Sequence, residues 1–136
     1  MTRSRITLSI DDDLKIMIVR YIGELDGDEV NLNMMQQLVH VPDVWKYDSM
    51  IDMRRYAGTI MATEIEELSM RWNLLVQGRD KGGFTAIVSD DPLVHARLST
   101  TQMLFPQRIL EAFNNFDEGL DWIKTQRCHI NRMLSA

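Results

Sequence analysis

Tyr47-Asp48-Ser49-Met50-Ile51-Asp52-Met53-Arg54 is the stretch on which the reading of the fold turns. Its apolar residues Met50, Ile51 and Met53 form a short run bounded by turns, which fits a buried strand better than a helix. Upstream, Asp26-Gly27-Asp28 supplies turn and N-cap chemistry, and Met34, Met35, Leu38 and Val41 recur at helical spacing until Pro42 ends the run. Downstream, Thr63 and Glu66 read as a capping box, and Ile65, Leu68, Trp72, Leu75 and Val76 fall on one stripe before Gly78 stops the helix. A buried strand between two helices is the unit from which a parallel sheet is built.

Arg5 to Ile10 alternates with Ile6, Leu8 and Ile10 on one face, the period of a half-exposed edge strand. Asp11-Asp12-Asp13 turns the chain into Leu14 to Ile22, apolar at nearly every position, as a strand covered on both faces requires. These two segments form a hairpin. Toward the C-terminus, Phe84 to Ser89 reads as a strand, and Asp91-Pro92 opens a third helix that runs to about Leu104 and is closed by Pro106. Ile109 to Phe113 is a fifth strand candidate. Asn115 and Glu118 then form a second capping box, and Phe116, Leu120, Ile123, Ile130 and Leu134 extend an apolar stripe along a last helix, about 116–134. The expected fold is α/β: a mainly parallel sheet of four to five strands with an antiparallel N-terminal edge hairpin and about four helices.

A chain of 136 residues, 45% hydrophobic and 26% charged, fits one domain with its own core, spanning 1–136. The formal charge of -5 lacks the basic stripe that phosphate binding needs, so no nucleic-acid partner is expected. Cys128 is the one cysteine, which excludes an intramolecular disulfide and makes a reducing cytoplasm the expected compartment. Met1 to Ile10 has no apolar core of a signal peptide, and no run reaches the about 18 apolar residues of a transmembrane helix.

The strand Tyr47 to Arg54, the hairpin before it and the capped helix after it occur together in STAS-like, SpoIIAA-like domains. The terminal stretch Ala112-Phe113-Asn114-Asn115-Phe116-Asp117-Glu118-Gly119-Leu120-Asp121-Trp122-Ile123 also resembles the way such domains end. The resemblance covers nearly the whole chain and implies the SpoIIAA-like fold. In the anti-sigma-factor antagonists of that family a kinase phosphorylates a serine in an Asp-Ser-Ser-Gly stretch at a helix start. Arg54-Arg55-Tyr56-Ala57-Gly58-Thr59-Ile60-Met61-Ala62-Thr63 stands there instead, with Thr59 and Thr63 as its hydroxyls. Other members of the wider superfamily resemble carriers or sensors of small lipophilic molecules, with a pocket between sheet and helices.

Asp52, Arg54 and Arg55 end the central strand, and ligands gather at the carboxyl ends of strands in open α/β sheets. Local pairing of Asp52 with Arg54 or Arg55 is the competing explanation. Thr63 has the position of an N-cap, where a phosphate would also be favoured by the helix dipole. The ten methionines either pack the core or line a plastic apolar surface, with Met61 and Met70 off the predicted core faces. Gly78-Arg79-Asp80-Lys81-Gly82-Gly83 joins a helix to a strand, the reverse of a phosphate-binding loop, and reads as a solvated turn in which Arg79 and Lys81 could meet an anionic partner. His40, His95 and His129 lack metal-ligand spacing, and no nucleophile motif surrounds Cys128 or any serine.

No enzyme, cofactor or metal is therefore expected. The leading expectation is a non-catalytic regulatory or protein-interaction module acting through Asp52, Arg54, Arg55, Thr59, Met61, Thr63 and Met70. The alternative is a carrier or sensor of a small lipophilic ligand, at a membrane surface or free, with methionines and Trp72 or Trp45 in its pocket. A homodimer through the C-terminal helix is a further expectation, because Ile130, Met133 and Leu134 carry its apolar stripe beyond a small sheet.

Overall fold

The computed structural model describes residues 3–80 and 82–135. Five strands, β1 (Arg5–Asp11), β2 (Ile16–Gly23), β3 (Asp48–Tyr56), β4 (Gly83–Val88) and β5 (Arg108–Phe113), form one sheet in the order β1-β2-β3-β4-β5. β1 and β2 are the antiparallel hairpin, and every later pairing is parallel. Helices α1 (Gly27–Leu38) and α2 (Ala62–Val76) make the first two crossovers, and α3 (Pro92–Ala96) with α4 (Leu98–Leu104) makes the third. A sequential strand order joined by crossovers of the favoured hand places all connecting helices on one face. α1, α2 and α4 accordingly pack together on that face, and α5 (Phe116–Ser135) follows β5 onto the other.

The local chemistry explains most of the boundaries. Asp26 caps α1 by accepting from Glu29 N at 2.8 Å, Asp91 caps α3 through Leu93 N at 2.9 Å, and Asn115 accepts from Glu118 N at 2.8 Å at the start of α5. α2 departs from the capping expectation. Its N-cap is Met61, because Glu64 reaches back to accept from Met61 N at 2.7 Å, which leaves Thr63 in the first turn. The third crossover is two short helices and not one, since Arg97 sits at φ -90 and ψ 0 between them.

Alternation along the strands divides the core into two. Met17, Val19 and Tyr21 point toward α1 and α2, whereas Ile16, Met50, Phe84, Ala86 and Val88 point toward Ile123 of α5. α5 approaches the sheet at Gly119: a Cβ there would lie 3.1 Å from Met50 Cε and 3.2 Å from Ala86 Cβ. Asp48 fastens the lower end of this face, with Oδ1 accepting from Phe84 N at 2.8 Å and Oδ2 from Arg127 Nε of α5. Arg127 also donates to the carbonyls of Leu14 and Lys15, which ties α5 to the hairpin turn.

Candidate functional site

The face covered by α1, α2, α3 and α4 is not filled. A cavity of about 210 Å³ lies between it and the sheet. That exceeds the roughly 150 Å³ of an apolar cavity able to hold benzene. Its floor is built by alternate residues of four strands: Met17, Val19 and Tyr21 from β2, Ser49, Ile51 and Met53 from β3, Thr85 and Ile87 from β4, and Arg108 and Leu110 from β5. Met34 and Leu38 of α1 roof one side and Ile65, Leu68 and Trp72 of α2 the middle. Val94, Leu98 and Thr101 from the third crossover close the other side. The lining residues that are exposed, Thr59, Asp90, Asp91 and Leu93, all follow β3 or β4, so the cavity opens at the carboxyl ends of the strands.

Several polar groups in the walls are held in place by hydrogen bonds. At the deep end Ser49 Oγ and Thr85 Oγ1 are 2.8 Å apart across β3 and β4, and Arg108 Nε donates to Thr85 Oγ1 at 3.0 Å. Arg108 further donates to Asp80 Oδ1 at 3.1 Å and to the carbonyl of Tyr47 at 2.7 Å, while Trp72 Nε1 donates to Asp80 Oδ2 at 2.9 Å. Burial pushes the Asp80 carboxyl up against the pull of Arg108 and Trp72, and burial also pushes Arg108 down against the pull of Asp80 and Asp48. Toward the mouth, Tyr56 donates to the carbonyl of Leu25 at 2.6 Å and packs edge-on against Tyr21. Burial, then the charge of Glu64, pushes the Tyr56 phenol up to about 12, and burial raises Tyr21 as well. Arg97 closes the rim by donating to the carbonyl of Ile60 at 2.6 Å.

The residues singled out from the sequence do not converge on one surface. Thr59 lies on the rim of the cavity, while Met61, Thr63 and Met70 are exposed on or beside α2. Asp52 and Arg54 belong to the α5 face of the sheet: Arg54 Nη2 meets Asp52 Oδ2 at 2.8 Å, Arg20 Nε lies 3.6 Å from the same oxygen, and both arginines stack on Phe116. Arg55 is exposed. In the loop before β4, Arg79 stacks over Trp45 at 3.8 Å and donates to Val76 O at 2.8 Å, so it serves the end of α2. Lys81 lies outside the described residues. Trp72, Met34 and Met53 line the cavity, and Trp45 does not. On α5, Ile130 and Met133 are exposed, and the side chain of Leu134 lies outside the described residues.

Sequence reasoning passed over Ser49, Thr85, Asp80 and Arg108. Ser49 stood inside the quoted strand, and a serine in an apolar strand was a usable signal. Its partner was not, because register across a parallel pair cannot be read from one strand. Among the described residues no group of three or more His, Cys, Asp or Glu is placed to hold a metal ion, and no helix is long and apolar enough to cross a membrane.

An antiparallel edge hairpin, parallel strands in sequential order, crossover helices on one face and a C-terminal helix on the other define a SpoIIAA-like fold. Among solved structures the chain is similar to an uncharacterized protein of the DUF3478 family with a SpoIIAA-like fold from Shewanella loihica PV-4. The two share 15% sequence identity and superpose with a TM-score of 0.61, over 90% of this chain and 97% of that one. No family model and no curated protein matches the sequence. The likeness is one of fold.

Proposed function

We propose that the chain is a non-catalytic STAS-like module that binds a small, mostly apolar ligand between the sheet and helices α1, α2, α3 and α4. The observation that carries this reading is the cavity of about 210 Å³, apolar along most of its wall and open at the carboxyl ends of β3 and β4. Interiors are normally packed to near-crystalline density. A cavity of this size in the middle of the larger core supports a binding role, because apolar surface with no packing partner forfeits dispersion and transfer energy that a ligand would restore. The polar groups at its deep end, Ser49, Thr85, Arg108, Asp80 and Trp72, are linked to one another and are not arranged as a nucleophile with its base, which supports binding without chemistry.

Native mass spectrometry of the protein purified without detergent tests the proposal. A non-covalent added mass that leaves on denaturation is the expected result. A bare protein, together with no thermal stabilisation by any small amphiphile, rejects it.

A second reading, interaction with a protein partner, is favoured by Met70 and Leu74. They are 66% and 75% exposed and stand one helical turn apart on α2. Glutamate at both positions should leave the fold intact and abolish any partner binding through this ridge.

A further inference from the structure

The chemistry at the deep end of the cavity narrows the class of ligand, on the premise that the cavity is a binding site. Ser49 and Thr85 are each more than nine-tenths buried and face the cavity from adjacent strands. Two hydroxyls carry two hydrogens, and their mutual contact at 2.8 Å uses one. Thr85 Oγ1 already accepts from Arg108 Nε at 3.0 Å, so Arg108 supplies a hydrogen and removes none. One hydroxyl hydrogen of the pair is left to donate. Leaving a buried donor unmet is costly, and the space in front of this pair is the cavity.

The charges here are already balanced. Arg108 is paired with Asp80, which also accepts from Trp72, and among the described residues no other cation lines the deep end. A carboxylate brought to this place would lose its hydration without gaining an unpaired cation from the described residues, and it would pass the exposed Asp90 and Asp91 on the way in. A pure hydrocarbon would leave the hydroxyl hydrogen unmet.

We infer that the ligand is a neutral amphiphile, such as a ketone, ester or ether. Its oxygen accepts a hydrogen bond from the Ser49–Thr85 hydroxyl pair, and its apolar body runs toward the mouth past Val19, Ile51 and Leu68. By scaling from benzene in a 150 Å³ cavity, the buried part has roughly eight to ten non-hydrogen atoms.

Isothermal titration at neutral pH with 2-octanone, octanoate and n-nonane, three probes of nearly equal size, tests the inference. 2-Octanone should bind, and octanoate should bind more weakly than 2-octanone because its charge would be buried without a partner. In Ser49→Ala, and independently in the shape-conserving Thr85→Val, the affinity for 2-octanone relative to that for n-nonane should fall about threefold to tenfold, the worth of one hydrogen bond, while n-nonane binds as before. Circular dichroism confirms that each variant is folded. An unchanged relative affinity for 2-octanone and n-nonane in both variants, or tighter binding of octanoate than of 2-octanone, overturns the inference. Failure of all three probes to bind overturns the cavity reading on which it rests.

Discussion

Arg108 Nη1 meets Asp80 Oδ1 at 3.1 Å in a salt bridge whose side chains are 6% and 3% exposed. The pair joins the first residue of β5 to the loop that leads into β4, and through Trp72 it also holds the end of α2 over the cavity. A buried ion pair stabilises little in total, because desolvation offsets attraction, but removal of one partner strands the other charge.

Asp80→Asn should therefore destabilise the fold by about 3–5 kcal/mol, and Arg108→Met by a similar amount. The double variant should recover part of the loss, since it leaves no isolated charge. Urea denaturation of the three variants measures this. Additive losses in the double variant would show that the two side chains act separately.

Leu68 roofs the cavity from the middle of α2, where a larger side chain would project into open space. Leu68→Trp should fill much of the volume at little cost in stability, within about 1 kcal/mol, because the added atoms displace no packed neighbour. The wild-type protein at a ligand concentration about 100-fold above the dissociation constant should gain about 2.7 kcal/mol. For a chain of this length that is a rise in Tm of roughly 10 °C. The same ligand should raise the Tm of Leu68→Trp by less than a third as much in differential scanning fluorimetry. An undiminished shift would place the binding site elsewhere.

Asp52 provides a pH signature on the opposite face. Burial alone would raise its carboxyl, but hydrogen bonds from Arg54 and the charges of Arg54 and Arg20 together outweigh burial and hold it below its ordinary value of 3.8. A depressed carboxyl binds fewer protons folded than unfolded, so it stabilises the fold above 3.8 and that contribution disappears as the pH falls through the lowered value. The arginine side chains are 46% and 38% exposed, which limits the contribution to about 1 kcal/mol. Asp52→Asn should be less stable than wild type at pH 7, and the gap should narrow as the pH falls below 3.8. A gap of constant size across that range would mean that Asp52 acts by shape and not by charge.

The order of strands and helices was legible because its signals are local. Ile6, Leu8 and Ile10 alternate within one strand, and Asp26, Asp91 and Asn115 cap helices that start within a residue or two of them. The break at Arg97 and the shift of the α2 cap from Thr63 to Met61 were not legible. Glu64 competes with Glu66 for the same reciprocal role, and only the path of the chain out of Tyr56 decides between them. The cavity was less legible still. It depends on Met17, Ser49, Thr85 and Arg108 meeting from four strands far apart in the chain, and on the helices standing off from them. The strand ending at Arg54 led instead to Asp52 and Arg54, whose parity puts them on the α5 face, where they satisfy each other.

Tyr56 and Tyr21 together predict an alkaline limit. Both phenols are raised by burial, Tyr56 to about 12. A raised acid holds its proton longer in the folded state, so its contribution is complete below the ordinary value of 10.0 and is lost as the pH rises toward 12. Stability should fall steeply above pH 10, and Tyr56→Phe should have a shallower slope there. That variant also gives up the hydrogen bond to Leu25 O, at a cost of about 1 kcal/mol at pH 7. Thermal melts from pH 8 to pH 11 distinguish the two effects, because loss of the hydrogen bond alone lowers the whole curve without changing its slope.

Gly119 lets α5 lie on the sheet. A Cβ there would stand 3.1 Å from Met50 Cε, 3.2 Å from Ala86 Cβ and 3.4 Å from Phe113 Cδ2, and the first two belong to the centre of the smaller core. Alanine adds the least volume and also improves helix propensity by about 1 kcal/mol, so Gly119→Ala should fall near neutrality: the flexible Met50 end can move, but Ala86 on its strand cannot. Gly119→Val leaves no such compensation, since its branches must displace both neighbours and lift the helix. A loss of about 2–3 kcal/mol is expected. The lift would also strain the link from Arg127 to Asp48 two turns further along α5, so amide exchange should accelerate in β3 and α5 before β1. A Gly119→Val variant as stable as wild type would show that α5 can shift along the sheet without losing its contacts.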